Sequence, residues 1–304
     1  MGSDATASSD SSRPEGLLTI DIAALRQWIG RSAEAEDIVT PRLVEGFRAT
    51  FDPHLAAVGD GECPLALHWC LAPGAAPMAE LGPDGHPAKG GFLPPVPLPR
   101  RMWAGGEIET FGPLRLGDRI ARRSTISGVE HKAGRSGPLC FVTVRHEFLT
   151  GRGPALAERH DIVYRDTERS LPENGEKTPH REAPPDAGPT PDLAWQIEGS
   201  PVLLFRYSAL TFNGHRIHYD APYVTGVEGY PGLVVHGPLQ ATLLFNLAAV
   251  LGGRTPSRFR YRAIAPLIAG ETFEVLGAHL ADGGVSSWTR SSAGQVCMQA
   301  RAGW

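Results

Sequence analysis

Cysteine is scarce in this chain. Cys63, Cys70, Cys140 and Cys297 are the four in 304 residues, and their spacing fits neither a zinc site nor a disulfide framework. That excludes a small disulfide-stapled module and points to a reducing cytoplasm. No uninterrupted apolar run reaches the roughly 18 residues a membrane span requires, so a spanning helix is excluded on length. The N-terminus shows no charged head followed by an apolar core, so no secretory signal is predicted. Neither sign of charge dominates: 29 Lys and Arg stand against 33 Asp and Glu, a formal net charge of -4. A chain so balanced has no global field with which to gather nucleic acid or an acidic membrane surface.

Apolar residues make up 41% of the sequence, with six Trp and eleven Phe, enough to fill two cores. Residues 1–16, rich in Ser, Asp and Gly, are expected to be disordered. Residues 166–192 carry Pro, Glu and Asp with almost no large apolar side chain, so burial cannot repay their ordering and they read as a linker. This linker divides the chain into an N-terminal domain over 17–165 and a C-terminal domain over 193–304.

Asp21 can cap a helix through Ile22, Leu25 and Trp28, and Thr40 with Pro41 can start another through Leu43, Val44, Phe47 and Phe51. Strands are predicted at Leu65–Leu71, Ile120–Val129, Leu139–Phe148 and His160–Tyr164. In the second half Ser200 and Pro201 start a helix through Leu204 to Leu210. Pro238 opens another through Leu239, Leu243, Leu244, Leu247 and Val250 that ends at Gly252 and Gly253. Gln240 and Asn246 apart, this last helix is apolar on nearly every face, which predicts burial within a wrapping sheet. Strands come after it at Phe259–Ile264, Thr272–Leu280, Val285–Thr289 and Val296–Arg301. The segments Gly112-Pro113-Leu-Arg-Leu-Gly117-Asp118 and Ala265-Pro266-Leu-Ile-Ala-Gly270-Glu271 each precede a strand, with their prolines 153 positions apart. This echo favours an internal duplication.

The richest stretch is Tyr207-Ser-Ala-Leu-Thr-Phe-Asn213-Gly-His215-Arg-Ile-His218-Tyr-Asp220, then Gly232-Leu-Val-Val-His236-Gly237 and the apolar helix. It supplies a candidate base, a bend and a helix start within about thirty positions. Histidine has a pKa near neutrality, and a helix start carries free N–H donors and partial positive charge. Read without further context, His218 is equally a hydrogen-bonded loop histidine. His215, His218 and Asp220 fit a His-x-x-His-x-Asp grouping, which matches no standard zinc motif.

Together with Gly90-Gly-Phe-Leu-Pro-Pro-Val-Pro-Leu-Pro-Arg-Arg-Met-Trp103-Ala-Gly-Gly and Lys132-Ala-Gly-Arg-Ser-Gly137, this block resembles the MaoC-like, type 2 hydroxyacyl-thioester dehydratases. Within them it looks most like the branch acting on mesaconyl-C4-CoA (3-methylfumaryl-CoA). The resemblance implies an α+β double hotdog, two antiparallel sheets each wrapped around a central helix. It also implies reversible hydration of a short branched or dicarboxylic enoyl-CoA to a 3-hydroxyacyl-CoA, with no cofactor, no metal, and pairing of two chains as a homodimer left open. Laid over the MaoC-like pattern Ser-Gly-Asp-x-Asn-Pro-x-His, His218 takes the place of the catalytic His, but Asn213 stands where an Asp is expected. A carboxamide orients water without accepting its proton, so His218 becomes the base and Asn213 a positioner, with Asp220 or Glu228 left as sources of the missing charge.

The N–H of Gly237 is the candidate donor to the thioester oxygen, and His236 is placed under the helix start. Arg258, Arg260 and Arg262 alternate on one predicted strand face, as phosphate or carboxylate contacts or as a solvated face. Arg101, Met102, Trp103, Gly105 and Gly106 are expected to wall the acyl pocket, although Trp103 also suits a core and the glycine pair a turn. Asn213 keeps a second class open: a hotdog thioesterase or a non-catalytic acyl-CoA-binding protein.

Overall fold

A computed structural model describes residues 20–134, 137–166 and 189–304. The disorder expected for residues 1–16 lies outside these, as do residues 167–188 of the expected linker. In chain order the elements are α1 (Ile22–Arg26), β1 (Ser32–Ile38), α2 (Pro41–Phe51), β2 (Arg100–Thr110), β3 (Arg119–Gly134), β4 (Gly137–Thr150) and β5 (Gly153–Arg165). The second half adds β6 (Leu193–Glu198), α3 (Pro201–Thr211), α4 (Ala221–Gly226), α5 (Gly237–Gly252), β7 (Arg258–Ala263), β8 (Thr272–His279), β9 (Val285–Arg290) and β10 (Val296–Gly303). All ten strands join one antiparallel sheet in the order β1-β3-β4-β5-β2-β7-β10-β9-β8-β6. Its two halves meet where β2 pairs with β7.

The halves repeat each other bond for bond. Thr40 and Ser200 each cap an 11-residue helix with proline in its first turn, accepting from Leu43 N (3.2 Å) and Leu203 N (3.3 Å). Gly117 and Gly270, both at positive φ, donate to the carbonyls of Val39 and Gly199 just ahead of those helices. The strand-like segment 61–63 meets Leu114–Leu116 through the same pair of bonds that joins 233–235 to Leu267–Ala269. At the seam, Glu107 faces Arg260, 153 positions further on, so the pseudo-twofold axis passes through that pair. The echo read in the sequence is therefore a structural repeat.

The copies diverge beyond the 61–63 and 233–235 segments. In the second half the chain enters α5, whose residues Leu239 to Ala249 are all buried and which packs against β7, β8, β9 and β10. In the first half it enters only a short 3₁₀ turn at Leu67–Cys70. The strand predicted at Leu65–Leu71 is thereby corrected. Ala66 sits in the left-handed region at φ 71°, which ends any extended run, and the backbone bonds Trp69 N to Ala66 O and Leu71 N to His68 O close the turn. The main core joins Phe47 and Phe51 of α2 to α5 and the second-half strands, while a second cluster fills the first half around Ile126, Val142 and Tyr164.

Asn246 explains why a nearly all-apolar helix carries an amide. Its Oδ1 accepts from Ala56 N (3.1 Å) and its Nδ2 donates to Leu65 O (3.3 Å) and Thr242 O (2.9 Å), tying α5 to the first half. Asn246→Leu would strand a buried N–H and a buried carbonyl at a cost of about 2–4 kcal/mol. Urea unfolding should show a lower midpoint at unchanged slope, and an unchanged midpoint would refute the role.

Candidate active site

Helix α3 ends at Phe212, which adopts φ 50° and turns the chain out of the helix. Asn213 then braces the loop, its Oδ1 accepting from His215 N at 2.9 Å. A 3₁₀ turn over Arg216–His218 comes next, and Asp220 caps α4 by accepting from Tyr223 N at 3.0 Å. The turn buries His218 against the strand-like segment ahead of α5. There Nδ1 donates to the carbonyl of Val234 at 2.7 Å, leaving Nε2 as the acceptor of a neutral ring. Burial lowers the His218 pKa to about 4, so the neutral form prevails near pH 7.

His236 stacks on His218 with ring centroids 3.5 Å apart and 16° between planes, and its Nε2 bonds with Ser208 Oγ at 2.8 Å. It thus sits behind His218, under the helix start. Gly237 is the first residue of α5, and Pro238, which has no N–H, comes next. The indole of Trp103 lies so close to Gly237 that any Cβ there would overlap it. Trp103 also stacks on Tyr261, at 4.5 Å and 21°.

These groups border a cavity of about 540 Å³. Asn213, His218, Gly237 and Trp103 line it, as do Arg101 and Met102. Gly105 and Gly106 do not. They follow a bulge in the pairing of β2 with β5 and lie against β7, where a Cβ on Gly106 would collide with the Tyr261 hydroxyl and the Arg159 carbonyl. Arg258 and Arg260 are also away from the cavity, contrary to the expectation that they meet substrate. The inward positions of β7 are Phe259 and Tyr261, and the outward arginines pair across the seam. Arg258 reaches Glu107 (3.3 Å) and Glu109 (3.0 Å), and Arg260 bonds Glu107. Arg262 is exposed with them.

The cavity holds two groups that sequence reasoning passed over, Asp84 and His86. Their signal was an Asp-Gly-His turn in a Pro- and Gly-rich stretch, legible only as a bend. Of the carboxylates weighed as a substitute for the absent Asp, Asp220 is engaged by Arg216 (2.8 Å) and by its cap, and Glu228 by Arg100 (3.5 Å) and the Tyr223 hydroxyl (3.1 Å). The grouping of His215, His218 and Asp220 does not form a metal site. Asp84, His86 and His215 instead place ligand-type atoms within 4.8 Å of one another. Both Asp84 oxygens are, however, taken up by His86.

The chain matches the family hydroxyacyl-thioester dehydratase type 2 over residues 66–269. It is 42% identical over 251 residues to a mesaconyl-C(4)-CoA hydratase of Chloroflexus aurantiacus, covering 82% of this chain and 87% of that protein. The chain belongs to the type 2 hydroxyacyl-thioester dehydratase family. A mitochondrial type 2 hydroxyacyl-thioester dehydratase of Schizosaccharomyces pombe is 35% identical over 88 residues, 28% of this chain and 29% of that one. Among solved structures, a MaoC-like dehydratase superposes with a TM-score of 0.66 at 15% identity, covering 92% of this chain and all of that one. HtdX of Mycobacterium tuberculosis gives 0.60 at 18% identity, covering 89% and 98%. The fold of this family member is accordingly the double hotdog, with its first central helix reduced to a turn.

The family member's buried imidazoles also set its response to acid. Burial lowers the pKa of His68 and His160 to about 3 and of His218 to about 4. Above pH 6.5 both folded and unfolded chains hold them neutral, whereas below it the unfolded chain takes protons that the folded one refuses. Stability should therefore drop progressively from about pH 6.5 to about pH 3. The urea midpoint is expected to be clearly lower at pH 5 than at pH 7.5, and equal midpoints would contradict these neutral buried rings.

Proposed function

We propose that this protein adds water reversibly to a short, branched, dicarboxylic enoyl-CoA of the mesaconyl-C4-CoA type, giving a 3-hydroxyacyl-CoA. The observation that carries the reading is a neutral histidine with a free Nε2 bordering the same cavity as the N-terminus of a buried helix. The relative named for mesaconyl-C(4)-CoA supports the substrate class. No helix among the described residues is long and apolar enough to cross a membrane. All four cysteines are buried and unpaired, which suits a reducing cytoplasm.

His218 Nε2 takes a proton from water as the water oxygen bonds to the β-carbon of the enoyl group. The π pair moves onto the thioester oxygen, where the N–H of Gly237 and the positive end of α5 stabilise it. The proton on Nε2 then passes to the α-carbon and restores the thioester carbonyl. Asn213, its Oδ1 held by the loop, offers its NH₂ as a donor that orients water. The substrate's free carboxylate needs a cation inside the cavity, and Arg101 is suited to it. Among the described residues no carboxylate lies within ion-pair distance of Arg101, whereas its neighbour Arg100 is bound to Glu228.

His218→Ala should lower kcat by about 10²–10⁴-fold while leaving KM nearly unchanged, as removal of a general base does. Unaltered turnover would reject its role. Chromatography of a panel of enoyl-CoAs separates the reading from hydrolysis: loss of the enoyl chromophore with the thioester intact marks hydration, and release of free thiol marks a thioesterase. Arg101→Met should cost about 10–100-fold in kcat/KM on mesaconyl-C4-CoA, the worth of a charged hydrogen bond, and far less on 3-methylcrotonyl-CoA, which has no second carboxylate. Equal losses on both would assign Arg101 another task.

A further inference from the structure

We propose that Asp84 and His86, carried by the first half of the chain, supply the charge that Asn213 cannot. In this role they act through His215 to hold the positive charge that His218 bears between taking the proton from water and delivering it to the α-carbon. The inference rests on the hydratase reading above. It adds no reactant: the proton that enters at His218 Nε2 leaves from it, and Asp84 remains a carboxylate throughout.

The placement is built into the backbone. Residues 81–88 form a tight hairpin closed by a bridge between Leu81 and Pro87 and by Gly82 N bonding His86 O at 2.7 Å. Its tip is fastened to the catalytic loop of the second half. Arg216 N donates to Asp84 O (2.9 Å), and Arg216 Nη1 donates to Pro83 O (3.0 Å). Arg216 belongs to the same 3₁₀ turn as His218, so hairpin and base are held in one frame.

Within the hairpin, Asp84 Oδ1 accepts from His86 N at 3.0 Å and Oδ2 accepts from His86 Nδ1 at 2.9 Å. That fixes the His86 tautomer and leaves Nε2 free on the side away from the carboxylate. The His86 ring lies 4.0 Å from that of His215, and the His215 ring meets that of His218 edge-on at 5.3 Å. Two imidazoles in ring contact, His86 and His215, thus stand between the carboxylate and the base. Such a row polarises toward a charge formed at its far end, and the low dielectric of a buried site strengthens that response.

Other acids cannot fill the place. Among the described residues two carboxylates line the cavity: Glu228 is paired with Arg100, while the side chain of Asp84 hydrogen-bonds with His86. Arg101, which also lines the cavity, helps keep the Asp84 carboxyl ionised. Burial disfavours an imidazolium at His218, and a positive charge on His86 would add to that, so His86 serves as a neutral ring and an uncompensated charge at His218 would raise the barrier of every turnover. Asp84 and His86 are positioning residues in this scheme, because neither exchanges a proton with the substrate.

The test is steady-state kinetics on the full-length protein with the enoyl-CoA that the wild type hydrates fastest. Asp84→Asn keeps the shape and removes the charge. It is expected to lower kcat about a hundredfold, the lower end of general-base effects, with KM within about twofold of wild type. Asp84→Glu should recover part of the loss. His86→Gln should lose as much as Asp84→Asn, and the double variant should be no worse than either, because the pair works as one unit. Retained kcat in Asp84→Asn, a rise in KM alone, or multiplying losses in the double variant would overturn the inference. Should Asp84→Asn fail to fold, His86→Gln decides by the same criteria. A wild type that hydrates no enoyl-CoA defeats the hydratase reading itself, and this inference with it. A wild type that hydrates, alongside a fully active Asp84→Asn, defeats only the inference.

Discussion

The hydrogen bond from His218 Nδ1 to the carbonyl of Val234 is the constraint on which the site depends. It assigns the tautomer, orients the ring and, because Val234 lies three residues before Gly237, ties His218 to the start of α5 through very little chain. Val234 N bonds back to Ile217 O at 3.0 Å, so the loop that bears His218 and the strand-like segment before the helix are joined in both directions. The burial that makes this arrangement rigid also keeps the imidazole neutral. Geometry and protonation state therefore come from a single cause, the packing of an apolar helix inside a sheet.

The repeat gives a physical account of why the proposed base and helix start lie in one half. Both halves have the strand, the capped 11-residue helix and the paired turn ahead of the next strand. In the second half, Leu233 comes 22 residues after Thr211, room for the loop that bears Asn213, His215 and His218. The first half closes the corresponding gap in 10 residues, from Phe51 to Gly61, and replaces the long helix by a 3₁₀ turn. Without that loop and that helix start it has no counterpart of His218 or Gly237, the proposed base and oxyanion donor. Its contribution to the cavity comes from β2, from β5 and from the stretch that includes the 81–88 hairpin.

The range of the forces involved decides how much of the structure was legible in the sequence. Thr40-Pro41, Ser200-Pro201 and the apolar run after Pro238 are local signals, and each marks a helix start in the structure to within a residue. His218, Asn213, Trp103 and Gly237 could be named because they sit in motif blocks, and all four border one cavity. Strand β1 is hard to read because Ser32-Ala-Glu-Ala-Glu-Asp-Ile is an exposed edge with little to bury. The arginines of β7 mislead for a related reason: alternation identifies a face but not which face turns inward. Asp84 and His86 could not be placed at all, since their meaning depends on a hairpin touching a loop about 130 residues away.

The account's central claim concerns one conjugated thioester held between two fixed groups, and a crystal structure with a non-hydratable thioester analogue bound would test it most directly. The thioester oxygen is predicted to lie about 3 Å from Gly237 N, with the carbon equivalent to the substrate's β-carbon facing His218 Nε2 across a water. An analogue whose thioester sits elsewhere, with no water between His218 and that carbon, would contradict it.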